Sequence, residues 1–223
     1  MTIKLFLEAI IKFIFGVVLI GLLLFIPAGS LKYTNAWLFM GLLFIPMFIA
    51  GIVMMIKSPN LLKTRLNAKE KENEQKEVLL LSGLMFLIGF TIAGLNYRFN
   101  WILLPNIITI ISSIVFLISY ILYAEVLREN AFLSRTIEVQ KEQKVIDTGL
   151  YSIVRHPMYT ITIFLFLSMP LILNSIISFI IFLIYPFIII KRLNNEEKVL
   201  EKDLKGYKEY KNKVKYKLIP FIW

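Results

Sequence analysis

Met158–Leu193, MYTITIFLFLSMPLILNSIISFIIFLIYPFIIIKRL, is the stretch that decides the fold, and its residues 161–190 carry no charge. As one continuous helix it would be about 54 Å long, whereas the hydrocarbon core of a bilayer is only about 30 Å thick. The polar pair Asn174–Ser175 divides it into two apolar arms. We therefore predict a helical hairpin, with a first arm at Met158–Leu173 and a second at Ser175–Leu193. The first arm is short and need not cross the bilayer fully, so five and six full spans both remain open.

The rest of the chain has the same apolar character. It is 58% hydrophobic with a mean hydropathy of +0.74, which exceeds what soluble domains show. Four further stretches reach the length of about 20 residues that a membrane-spanning helix needs, namely Leu5–Ile26, Ala36–Ile56, Val78–Leu95 and Trp101–Tyr123. The sequence thus predicts an all-α, polytopic transmembrane helical bundle of about six spans. We divide it into N-terminal transmembrane helices, residues 1–123, and a C-terminal core, residues 124–223.

Basic residues concentrate in alternate connections between these spans. Residues 57–76 carry six Lys and Arg, residues 124–157 carry five and the tail from Lys191 carries ten, whereas residues 27–35 and 96–100 carry one each. By the positive-inside rule both termini and the basic segments are expected in the cytosol. The heavy use of Ile, Lys and Asn favours a bacterial source, and hence a bacterial inner membrane.

The charge and the metal-binding residue types exclude several classes of function. The net charge of +10 lies in short segments between apolar blocks, an arrangement that disfavours nucleic acid as a partner. The chain has no cysteine and one histidine, so thiolate and multi-histidine metal sites are excluded. We therefore predict an enzyme or binding protein of the membrane that works without a metal and without nucleic acid.

Two polar segments flank the predicted hairpin. Asp147–Tyr159, DTGLYSIVRHPMY, precedes it, and the lysine-rich tail Lys191–Trp223 begins at its end. Because a hairpin brings its two ends together, we expect both segments to share one pocket in a small cytosolic cofactor-binding cap.

The order of motifs in these segments resembles the isoprenylcysteine carboxyl methyltransferase family and its bacterial and archaeal relatives. Gly-x-Tyr at 149–151 and Arg-His-Pro-x-Tyr at 155–159 precede the apolar hairpin, and Glu-Glu-x-x-Leu at 196–200 and Gly-Tyr-x-x-Tyr at 206–210 follow it. The resemblance begins near Glu129. It implies a membrane methyltransferase that binds S-adenosyl-L-methionine and takes a lipophilic or lipid substrate from the bilayer, with O-methylation of a carboxylate as the expected reaction.

The resemblance also implies roles for individual residues. Arg192 and Glu197 are expected to form the catalytic pair. The cofactor-binding residues are expected to be Gly149, Tyr151, Arg155, His156, Tyr159, Glu196, Tyr207 and Tyr210. A carboxylate and tyrosine faces suit the cationic centres of the cofactor, and Arg155 or His156 suits its carboxylate.

Other functions remain open from the sequence. N-methylation of a lipid headgroup is one alternative within the methyltransferases. A nicotinamide-dependent membrane reductase of the steroid-reductase type has a similar His-Pro-x-Tyr pattern. Its cofactor carries phosphates, and residues 161–190 of the hairpin contain no charged group to bind them, which favours the methyltransferase. A non-enzymatic transporter would need polar or broken helices at mid-membrane, and these spans contain few polar residues.

Overall fold

The computed structural model describes residues 3–67, 73–134, 136–137 and 139–223, and every regular element in that part of the chain is helical, as predicted. The helices are α1 (Ile3–Ala28), α2 (Thr34–Lys57), α3 (Pro59–Leu66), α4 (Asn73–Phe99), α5 (Asn106–Glu129), α6 (Pro157–Ile172), α7 (Ile176–Phe182), α8 (Tyr185–Asp203) and α9 (Tyr207–Lys213). A single 3-10 turn, Gly149–Ser152, lies before α6.

Among the described residues, five helices are long and apolar enough to cross a membrane, one fewer than the sequence predicts. They are α1, α2, α4, α5 and the combined stretch of α7 and α8. The difference concerns α6, which forms the first arm of the hairpin but has only 16 residues. Its length of about 24 Å falls short of the hydrocarbon thickness of about 30 Å. The protein is an integral membrane protein, and the described part of its chain contains five candidate spans and one shorter apolar helix.

Prolines account for two further departures from the predicted span boundaries. The fourth span begins at Asn106 instead of Trp101, because Pro105 lies just before the helix in an extended conformation. The last span is interrupted at Leu183–Ile184, between α7 and α8. Pro186 in the first turn of α8 has no N–H to continue the hydrogen-bond ladder of α7, and the chain therefore starts a new helix there.

Hydrogen bonds gather three connections at one end of the bundle, which we call the loop end (residues 29–33, 100–105 and 173–175). The hairpin turn centres on Asn174, whose φ of 58° is a conformation that asparagine tolerates. Its side-chain oxygen accepts from Leu104 N at 2.6 Å, and its carbonyl accepts from Asn96 Nδ2 at 3.1 Å. Asn35 Nδ2 donates to Ile172 O at 2.8 Å. These bonds satisfy polar groups that would otherwise be unpaired beside lipid.

The short α6 ends at the loop end and packs along the longer α5. Helix α5 starts at the loop end and runs about 36 Å, whereas α6 covers only about 24 Å of the same depth. Measured from the loop end, the first turn of α6 therefore lies about 12 Å below the C-terminal end of α5. As a result, the polar segment that precedes α6 is held within reach of the bilayer.

Small residues allow α4 and α7 to approach closely. Ser178 Oγ donates to Gly89 O at 2.8 Å, and a Cβ on Gly89 would lie 2.3 Å from Cε2 of the buried Phe182. Such close packing is a main source of stability between membrane helices, where no water is expelled.

Substitution of Gly89 by leucine is therefore expected to destabilise the bundle by about 1–3 kcal/mol through overpacking. Gly83→Leu is the matched control, since Gly83 lies in the same helix and a Cβ added there would have no neighbour within 4 Å. Thermal unfolding in detergent measures both variants. Equal unfolding temperatures for the two would contradict the assigned packing.

Candidate functional site

The Arg-His-Pro segment is fixed from outside by the last residues of the sequence. His156 directly precedes Pro157, which disfavours helix at His156 and starts α6. We call residues 214–223 the strap. Arg155 N donates to Tyr216 O at 2.9 Å and His156 N donates to Lys217 O at 3.0 Å. The strap thus satisfies two backbone donors that the turn into α6 leaves open.

Glu197 forms the centre of a buried ionic cluster beside this segment. Its side chain is 5% exposed, and its Oε1 accepts from Arg155 Nε at 2.7 Å and lies 3.3 Å from His156 Nε2. Its Oε2 lies 3.2 Å from Lys217 Nζ. Arg155 Nη1 donates to the carbonyls of Val214 and Lys215, both at 2.8 Å. This cluster ties α8, the start of α6 and the strap together.

A cavity lies next to this cluster. It contains about 850 Å³ of empty space, a figure that includes space open to solvent. Its polar lining includes most of the residues expected to bind a cofactor, namely Tyr151, Arg155, His156, Tyr159, Glu196, Tyr207 and Tyr210, together with Arg192. Its apolar lining includes Phe132, Leu133, Val145, Met158, Val199 and Leu204.

Three polar side chains form a row on one wall of the cavity. Arg192 Nε donates to Tyr159 OH at 3.0 Å, and Tyr159 OH in turn donates to Glu196. Arg192 and Glu196 are four residues apart, so they lie on the same face of α8. Glu197 is turned about 100° further round the helix, away from that face. Arg192 therefore shares the cavity with Glu196, and Glu197 is not among its lining residues.

Two tyrosines of α9 close the cavity from another side. Tyr210 OH donates to Tyr151 O at 2.7 Å, and Tyr207 OH lies 3.5 Å from His156 Nε2. Burial raises the pKa of Tyr207, and the neighbouring Glu197 carboxylate raises it further. Burial likewise raises the pKa values of Tyr210 and Tyr151. All three hydroxyls are therefore neutral at physiological pH, so each keeps a proton that it can donate.

Gly149 supports the site without lining it. Its φ is 49°, and a Cβ there would lie 1.4 Å from Glu129 Oε1. The other oxygen of Glu129 accepts from Leu150 N at 3.1 Å. The glycine thus lets a carboxylate at the end of α5 hold the turn that carries Tyr151.

We expect Gly149→Ala to displace the Glu129 carboxylate and to strain the backbone by about 1–2 kcal/mol. The turn that carries Tyr151 should loosen, which faster amide hydrogen exchange at residues 149–152 would report. Gly41→Ala is the control, because Gly41 has no neighbour within 4 Å of an added Cβ. Unchanged exchange in Gly149→Ala would show that Glu129 does not fix this turn.

Sequence reasoning missed Lys217, Glu129 and Asn130. Lys217 pairs with Glu197, Glu129 holds the turn at Gly149, and Asn130 Nδ2 donates to Tyr151 OH at 3.0 Å. Lys217 is one of ten basic residues in the tail, so no local pattern distinguishes it. Glu129 and Asn130 lie about 20 residues before the turn that they contact, and no motif joins them to it.

Comparison with known proteins identifies the part of the chain that contains α5 to α8. No curated protein matches the chain significantly. Residues 108–202, however, match the isoprenylcysteine carboxyl methyltransferase (ICMT) family. The match covers Gly149, the Arg-His-Pro segment, Arg192 and both glutamates, and it ends before Tyr207 and Tyr210. This region supplies most of the polar wall of the cavity, and it is similar to the isoprenylcysteine carboxyl methyltransferase family, a family of methyltransferases.

Proposed function

We propose that this protein transfers a methyl group from S-adenosyl-L-methionine to a lipidic or prenylated acceptor, and that the acceptor group is a carboxylate. The observation that carries the proposal is the row Arg192–Tyr159–Glu196 on the wall of a cavity of about 850 Å³. It offers one fixed cation and one carboxylate side by side, in the region that matches a methyltransferase family.

The side chains of the cavity fit the proposed cofactor. When bound, S-adenosyl-L-methionine supplies an electrophilic methyl group on a positively charged sulfur. Glu196 provides a carboxylate for the cationic centres of such a ligand. The rings of Tyr207 and Tyr210, with centroids 5.8 Å apart, add aromatic faces that attract cations. His156 lines the cavity and has Nε2 near both Glu197 and Tyr207, and we assign its ring to the carboxylate end of the ligand.

Arg192 is the group that we assign to the acceptor. A guanidinium binds a carboxylate through two parallel hydrogen bonds, which orients the attacking oxygen. A carboxylate is already ionised at neutral pH and needs no general base, so the residues at the site have to align the reactants and to exclude water. We assign Glu197 and Arg155 a positioning role, because they bind each other in the buried cluster and Arg155 also holds the strap.

The depth of the cavity supports a lipophilic acceptor. Tyr159 lies in the first turn of α6, about 12 Å short of the level that α5 reaches, and Met158 adds an apolar side chain to the lining beside it. A lipid chain is thereby able to remain among the helices while its polar end reaches Arg192. We assign this end of the bundle to the cytosol of a bacterial inner membrane, because the opposite, loop end is poor in basic residues. Its connections contain Lys32, and the last turn of α4 beside them adds Arg98.

The test is incorporation of radiolabel from methyl-tritiated S-adenosyl-L-methionine by protein in lipid nanodiscs. N-acetyl-S-farnesylcysteine serves as a prenylated carboxylic acid and phosphatidylethanolamine as an amine headgroup. A methyl ester releases volatile methanol in alkali, whereas an N-methyl group does not. We expect alkali-labile label in the farnesylated acid. Alkali-stable label in the phospholipid would replace the carboxylate by an amine as the acceptor, and no transfer to either probe would contradict the proposed acceptor class.

A further inference from the structure

The end of the strap exposes large apolar side chains. We call residues Ile219–Trp223 the tip. It is a closed turn in which Leu218 N and Ile219 N both donate to Trp223 O at 2.9 Å. Phe221 is 87% exposed and Ile222 is 77% exposed, which is unusual for two adjacent apolar residues in water.

The strap places this tip at the depth of the bilayer. Thr160 Oγ1, in the first turn of α6, donates to Leu218 O at 2.7 Å. From Asn174 at the loop end to Thr160 the chain rises only about 21 Å, less than the hydrocarbon thickness of about 30 Å. With Asn174 at the far boundary of the hydrocarbon, Leu218 lies about 9 Å inside the near boundary, at the depth of the acyl chains below the headgroups. The tip begins at the next residue.

Basic side chains surround the tip. A groove next to it is lined by Ser152, Ile153, Lys213, Val214, Lys215, Tyr216, Pro220 and Phe221. Ile153 in this groove is half exposed. Lys213 pairs with Asp147 at 2.7 Å but remains largely exposed, and Lys215 is exposed. Lys217 Nζ lies 5.0 Å from the centre of the Trp223 ring. Exposed apolar residues with lysines beside them suit the surface of a leaflet, where apolar side chains can enter the acyl chains and lysines can bind the negatively charged headgroups.

We propose that the tip inserts into the leaflet at the cavity end of the bundle, with Lys213 and Lys215 against the phosphates of anionic phospholipids. The same strap holds Arg155 N and His156 N through its carbonyls. Contact with the leaflet therefore fixes the strap on the segment that forms one wall of the cavity. This inference does not depend on the identity of the reaction.

Spin labelling tests the insertion, and the chain has no cysteine to remove first. Ile222→Cys carries the label in the tip. Lys205→Cys is the matched control, because Lys205 is exposed and follows α8, which runs about 9 Å beyond Glu197 and away from the loop end. In nanodiscs of phosphatidylcholine and phosphatidylglycerol, the label at 222 should be more accessible to oxygen than to a water-soluble nickel complex. The label at 205 should show the reverse. A label at 222 with the accessibility of that at 205 would overturn the proposal.

A second experiment tests whether Lys213 and Lys215 bind anionic phospholipids. Lys213→Gln/Lys215→Gln is combined with the label at 222, and its depth is compared in anionic nanodiscs and in nanodiscs of phosphatidylcholine alone. We expect the double variant to lie shallower than its parent in the anionic discs and to match its parent in the zwitterionic discs. An unchanged depth in anionic discs would remove anionic phospholipid as the partner.

Discussion

Replacement of Arg192 by lysine is expected to lower turnover of the farnesylated acid by about 10²-fold, with a smaller effect on cofactor affinity. A lysine keeps the positive charge, but it loses the planar fork that orients a carboxylate and the Nε that donates to Tyr159 OH. Misplacement of a reactant by about 1 Å is enough for a loss of this size. Steady-state kinetics with tritiated cofactor, together with cofactor binding by calorimetry, separates the two effects.

Lys191→Arg is the control for this prediction. Lys191 is the neighbouring residue on α8, and it pairs with Glu77 at 2.7 Å on an exposed surface instead of lining the cavity. Its turnover should stay at the wild-type level. If Arg192→Lys also retained wild-type turnover, Arg192 would not orient the acceptor, although the similarity of residues 108–202 to the family would stand.

Glu197→Gln is expected to destabilise the protein by about 3–5 kcal/mol, the cost of leaving buried charges without their counter-ion. Arg155 and His156 are 4% and 5% exposed at the side chain, and both depend on this carboxylate. The strap should separate from Arg155 and His156, so hydrogen exchange at residues 214–218 should rise together with the loss of thermal stability. Activity should fall as a consequence.

Glu201→Gln and Glu196→Gln are the comparison variants for Glu197→Gln. Glu201→Gln removes a carboxylate that is one third exposed and pairs with Lys211, so a change of only about 0–1 kcal/mol is expected. Glu196→Gln changes the residue next to Glu197 and should affect cofactor binding more than unfolding. If Glu197→Gln kept its stability and lost only turnover, Glu197 would act directly on the reactants, as the sequence resemblance implies.

The sequence predicts the bundle well because long apolar runs and a polar break carry most of the information. The helical hairpin follows from the length of Met158–Leu193 and from Asn174–Ser175, and the structure confirms both arms. The predicted count of about six spans and the five candidate spans differ only at α6, the short first arm of the hairpin. Apolar character alone does not distinguish a helix that crosses the bilayer from one that ends inside it. Helix α6 is short because Pro157 fixes its start, and the strap accepts the hydrogen bonds of the two residues before it.

The candidate site is harder to predict in detail. Sequence order places Arg192, Glu196 and Glu197 together, but only the helical geometry separates the glutamate on the cavity face from the one beside Arg155. The contribution of Lys217 depends on the path of the strap, which has no periodic pattern to indicate it. The motif Gly-Tyr-x-x-Tyr, by contrast, predicts two residues that the structure does bring to the cavity, Tyr207 and Tyr210.

The most direct test of the account is calorimetric binding of S-adenosyl-L-methionine to the protein in lipid nanodiscs, with a reduced nicotinamide cofactor measured in parallel. The account predicts micromolar binding of S-adenosyl-L-methionine, weakened about tenfold or more in Glu196→Gln through the loss of a charge-assisted contact, and no binding of the nicotinamide. Binding of the nicotinamide cofactor without binding of S-adenosyl-L-methionine would contradict it.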